Sequence, residues 1–152
     1  MGRFFRWIDK VFGARGITLL TCGAGWCIDG VSILTAQRFG TSPAVRILTQ
    51  IIPLSWWAIV WIVCGAIAIV ASVLPPDRDI IGFAAAALPP GTWAITFTIG
   101  WITGVYPLGW AVIPYWSVPL LLLAVVATLS SRYAAVVRRI EELEKGLAHG
   151  LD

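Results

Sequence analysis

The sequence predicts an all-α polytopic membrane protein with four transmembrane helices, an N-terminal amphipathic helix and a C-terminal cytoplasmic helix. Composition is the first ground. Hydrophobic residues make up 59% of the 152 residues and charged residues 12%, with a mean hydropathy of +0.85. A soluble domain of this size has too little polar surface to cover so much apolar material. The second ground is where the charges fall. Six lie between Gly16 and Ser131, and five of them (Arg38, Arg46, Asp77, Arg78, Asp79) sit in short polar breaks. The third is spacing: the apolar stretches between breaks run about 20 residues, enough helix to cross a hydrocarbon core of roughly 30 Å.

The length fits one domain, 1–152, read as an interfacial helix (1–15), a four-span bundle (16–131) and a polar helical tail (132–152). In the first part, Phe4, Phe5, Trp7, Ile8, Val11 and Phe12 fall on one helical face, with Arg3, Arg6, Asp9 and Lys10 opposite. Aromatic and basic faces of this kind suit a helix lying in the headgroup plane. A cleaved leader is the competing reading. Its apolar stretch, Ile17–Leu20, is too short before Cys22, so this end is expected to belong to the mature protein.

The first span is expected over about 16–37 and is rich in small residues, among them Gly23, Gly25 and Gly30, which allow close helix contact. Ser42 before Pro43 marks the start of a short interfacial helix over 44–52, ended by Pro53. The second span is expected over 54–74, opened by Trp56 and Trp57 as interface anchors. The run Pro75-Pro76-Asp77-Arg78-Asp79 is a turn whose aspartates suit the N-terminal end of the next helix.

The third span, about 80–104, contains Pro89 and Pro90, which remove two amide donors and are expected to kink or break it. Gly100 and Gly104 near its end form a GxxxG pair, a candidate helix-packing motif. The fourth span, about 110–131, carries Pro114 and Pro119, with Tyr106, Trp110, Tyr115 and Trp116 clustered at that end. Beyond Arg132 the chain turns polar. Val136, Ile140, Leu143 and Leu147 then repeat at steps of four, three and four. The tail has four basic and four acidic residues, so it suits helix–helix contact better than an anionic lipid surface.

Basic residues set the orientation. The N-terminal segment has four, the 75–79 turn one and the tail four, against Arg38 and Arg46 on the other side. Both termini are therefore expected to be cytoplasmic. The net charge of +3 is concentrated at the ends, and no basic stripe marks a nucleic-acid surface.

The chemistry-bearing residues are few. Cys22, Cys27 and Cys64 lie in apolar spans without CxxC or Cys/His spacing, and the lone His149 is in the tail, so no metal or cofactor site is expected. They read as small hydrophobes, with an interhelical disulfide as the alternative. No nucleophile–base pair, phosphate loop or carboxylate pair appears, which argues against an enzyme.

Asp29 is the one charge inside an apolar run. It is either a polar site in a bundle interior or water path, or a structural residue that is protonated or hydrogen-bonded. The Pro89-Pro90-Gly91 run is either the broken helix of a transport site or a kink filled by packing. The nine tryptophans fit interface anchoring and lipid-facing packing, with ligand stacking as an alternative.

A basic aromatic start leads into Arg15-Gly16-Ile17-Thr18-Leu19-Leu20 and a small-residue span. A Trp-rich span with Ser55-Trp56-Trp57-Ala58-Ile59-Val60-Trp61 then ends in a Pro/Arg/Asp turn. In this plan the chain resembles small four-span membrane proteins encoded by actinobacterial phages, some of them holin-like. The resemblance implies a non-enzymatic protein that oligomerises in the host inner membrane during lysis. Two other readings remain: an accessory or superinfection-immunity protein that binds another membrane protein, and a small transporter or channel using Asp29.

Overall fold

In lipid every backbone amide and carbonyl must find its partner within the protein, and an apolar stretch of 20 residues does this by becoming helix. The structure, a computed structural model, describes residues 13–36, 43–74 and 80–149. It forms five helices there: α1 (Gly13–Ala36), α2 (Pro43–Thr49), α3 (Leu54–Ala71), α4 (Ile80–Ile102) and α5 (Gly109–His149). The amphipathic helix expected over 3–12, the break at 38–42, the turn at 75–79 and residues 150–152 lie outside the described residues.

Four of the helices, α1, α3, α4 and α5, are long and apolar enough to cross a membrane, and no strand occurs among the described residues. The chain is a multi-pass, all-helical membrane protein. Sequential spans run antiparallel. Gly23 and Gly30 on α1 meet Gly65 and Ala58 on α3, and Phe97 and Gly91 on α4 meet Gly109 and Leu120 on α5. The most extensive contact is between α1 and α3, followed by α4 with α5 and α3 with α4.

Two apolar clusters fill the bundle. One holds Leu19, Ala68, Ala71, Phe83, Ala86 and Leu123, near the start of α1. Arg15 lies beside it, with its guanidinium 5.9 Å from the Phe83 ring centre. The other cluster is built around Trp26, Trp61 and Trp93 and is closed by Ala44 and Leu48 of α2. Thus α2 does more than rest at an interface: Ala44 and Val45 are fully buried, and α2 packs on α4.

Three elements differ from the sequence expectation. First, of the kink or break expected at Pro89 and Pro90 the break does not occur; α4 is helical throughout and both prolines are buried. Second, α4 ends at Ile102, and Gly104 is a turn residue with φ +72°, in the left-handed region that suits glycine. The amide of Tyr106 then donates back to Gly100 O at 2.8 Å. Third, the fourth span and the polar tail are one helix of 41 residues. Nothing between Ser130 and Arg139 breaks a helix, so the change in composition is not an element boundary.

Many serine and threonine hydroxyls inside the spans donate to a carbonyl one turn back. Thr96 donates to Thr92 O at 2.8 Å, Ser117 to Ile113 O at 2.9 Å and Thr128 to Ala124 O at 2.7 Å.

Candidate functional site

Gly23 and Gly30 of α1 are covered within the chain by the facing helix. A Cβ placed on Gly23 would lie 2.6 Å from Gly65 O, and one on Gly65 would lie 2.6 Å from Gly23 O. One heptad along, a Cβ on Gly30 would lie 2.8 Å from Ala58 O. Only glycine allows the two backbones to approach this closely. At the same seam the Cys27 thiol donates to Ile62 O at 3.6 Å. All three cysteines are free. Gly65 was not singled out from the sequence, although its seven-residue spacing from Ala58 matches that between Gly23 and Gly30.

The other glycines behave differently. Gly100 is buried with Ala44 and Tyr106 against it, so its face is covered within the chain. Gly104 is in the turn and packs against no helix, so the GxxxG pair is not one surface. Gly25 has open space beside it.

Asp29 sits next to that opening. It is half-buried on the flank of α1, one helical turn from both Gly25 and Ser32. Among the described residues it makes no hydrogen bond and no ion pair, and no second carboxylate is placed with it. Among the described residues Asp29 thus has space on the Gly25 side and no partner; Arg38 lies outside them.

The interior itself is aromatic. Trp61 stands at the centre, with ring centres of Trp26 at 5.4 Å, Trp93 at 5.2 Å and Trp116 at 5.6 Å, each close to perpendicular. Trp57 meets Trp93 at 6.1 Å. Such edge-to-face contacts set the positive rim of one ring against the negative face of the next, and each adds about 0.5–1.5 kcal/mol. The indole nitrogens of Trp57, Trp61 and Trp93 are buried with no hydrogen-bond acceptor among the described residues.

Trp26 is the exception: its Nε1 donates to Ala86 O at 2.9 Å. Ala86 lies four residues before Pro90, so its carbonyl would normally receive the amide that Pro90 lacks. A side chain from α1 supplies that donor. This is how α4 passes Pro90 without breaking.

Sequence reasoning gave the tryptophans to interface anchoring and lipid-facing packing, and three of them are instead in the interior. Trp56 and Trp110 are exposed, whereas Trp26, Trp61 and Trp93 are buried. The signal was available: these three lie mid-helix, where an interface anchor is out of place.

An apolar groove of about 300 Å³ opens between α3 and α4, lined by Ile67, Val70, Leu74 and Ile81. Its lining suits an acyl chain. The outer face of α5 is uncovered among the described residues: Leu121, Leu122, Val125, Leu129, Tyr133 and Val136 are all exposed. No protein-family model matches the chain, and no curated protein or solved structure matches it.

Proposed function

We propose that the chain is a non-enzymatic, phage-encoded protein of the bacterial inner membrane, with both termini cytoplasmic, that acts by oligomerising during host lysis as a holin does. The observation that carries this reading is the contrast between interior and exterior. The interior is packed with tryptophan and the small faces of α1 and α3 are already joined, while the outer face of α5 is exposed among the described residues. An interior filled this way offers no polar path through one copy. Passage across the membrane would then arise between copies, and the lipid bilayer and other copies are the partners. Gly25 and Asp29 stand on the flank of α1 that remains open for such contact.

Timed expression of the full chain in a bacterium, followed with a membrane-potential dye, tests this. Depolarisation after a delay is expected. Correct insertion without depolarisation sinks the lytic reading. The exposed Val136, Ile140 and Leu143 favour a second reading, an accessory or immunity protein that binds another membrane protein through its tail. Protection of cells from phage without lysis would favour that reading.

A further inference from the structure

We infer that two copies of this chain pair in parallel through a coiled-coil seam on the distal half of α5. The inference rests on the assembly reading above and names its surface and geometry.

The seam begins inside the apolar span and continues into the polar tail. Leu129, Tyr133, Val136, Ile140 and Leu143 follow one another at steps of four, three, four and three, and Leu147 extends the register. This spacing keeps one stripe facing a partner helix over several turns. All five residues from Leu129 to Leu143 are exposed, with Val136 at 56%, Ile140 at 50% and Leu143 at 62%.

Lipid accounts for the first part of the stripe and not for the rest. Measured from Gly109 at about 1.5 Å per residue, Val136 lies roughly 40 Å along the helix and Leu143 roughly 50 Å. A hydrocarbon core of roughly 30 Å ends well before either. Around them the sequence is charged, with Arg138, Arg139, Glu141 and Glu142. No described residue covers Val136, Ile140 and Leu143, and α5 has no joint there that would fold them back onto the bundle.

The occupant is a second copy because the chain complements itself. In the register with Tyr133 and Ile140 at position a, Val136 and Leu143 fall at d, Arg139 at g and Glu144 at e of the next heptad. In a parallel pair, g of one helix faces the following e of the other, and the sequence holds Arg139 at that g and Glu144 at that e. An antiparallel pair would bring like positions together, Arg139 beside Arg139. Copies inserted into one bilayer with one topology can only meet in parallel. A neutral tail also removes anionic lipid as the competing occupant, since its four basic residues are balanced by four acidic ones.

Cross-linking in isolated membranes containing the full chain tests the seam. Val136→Cys and Leu143→Cys are expected to give disulfide-linked dimers on oxidation with copper phenanthroline. Ala135→Cys, at an outward c position, is not, and the native chain controls for Cys22, Cys27 and Cys64. Adding Arg139→Glu should lower the Val136→Cys yield roughly threefold or more, and Glu144→Arg on top of it should restore the yield. Equal yields at 135 and 136, no dimer at either 136 or 143, or no recovery in the charge-reversed pair overturns the seam. Depolarisation without the 136 dimer refutes the seam and leaves the lytic reading standing. The dimer without depolarisation does the reverse.

Discussion

The indole N–H of Trp26 donates to the backbone carbonyl of Ala86, 60 positions along the chain, at 2.9 Å. Pro90 is the residue that would otherwise have supplied a donor to that carbonyl, and it has none. One hydrogen bond from α1 thus replaces one missing inside α4. The replacement ties the first span to the third at the middle of the bundle.

Trp26→Phe keeps the ring and removes the donor. It should cost about 1–3 kcal/mol, because Ala86 O is then buried without a partner. Pro90→Ala returns an amide to the same carbonyl, so the cost of Trp26→Phe should shrink markedly in that background. A double-mutant cycle in detergent, read by thermal unfolding, measures the coupling. Strictly additive effects would show that the two residues do not share this carbonyl.

The α1–α3 contact should be intolerant of even one methyl. Gly23→Ala and Gly65→Ala each place a carbon against backbone on the facing helix, and a loss of about 1–3 kcal/mol is expected. Gly25→Ala, with open space beside it, should leave the melting temperature unchanged. If all three variants melt alike, the close approach of the two helices is wrong.

The tryptophans should separate into two optical classes. In vesicles containing brominated lipid, Trp110→Phe should remove a strongly quenched component of the emission. Trp61→Phe should remove a component that lipid does not reach, since Trp61 is 1% exposed. Trp61→Ala should also destabilise the bundle, by about 3–5 kcal/mol on the scale of large-to-small core changes. Equal quenching losses for Trp61→Phe and Trp110→Phe would contradict a sealed aromatic centre.

Asp29→Asn should change neither the stability of the protein, beyond about 0.5 kcal/mol, nor any depolarisation it causes. The carboxylate has no partner to lose among the described residues. Abolished ion flux in this variant, with normal insertion, would instead place Asp29 in a transport path.

Much of the architecture is readable from composition and breakers. Pro53 and Leu54 mark the start of α3, Ile80 that of α4 and Pro43 that of α2. What could not be read is which side of each span faces inward. In a soluble helix the polar face points out, and periodicity reveals the core. Here both the lipid and the interior are apolar, so Ile59 and Trp61 look equivalent in the sequence although one is exposed and the other buried. The partner of Ala86 O was invisible for a related reason. A missing amide can be located from a proline, but its replacement comes from a residue distant in sequence. The tail was misjudged because a change of solvent along the chain was taken as a change of element.

The length of α5 has a mechanical meaning. At about 1.5 Å per residue its 41 residues reach roughly 60 Å, and its two prolines, Pro114 and Pro119, lie near the first end. The remainder is a stiff lever with its fulcrum in the bundle. A tilt of about 10° at the bundle would swing the far tip by roughly 10 Å over that length. Whatever grips the tail can therefore pull on the membrane-embedded part without any hinge between them.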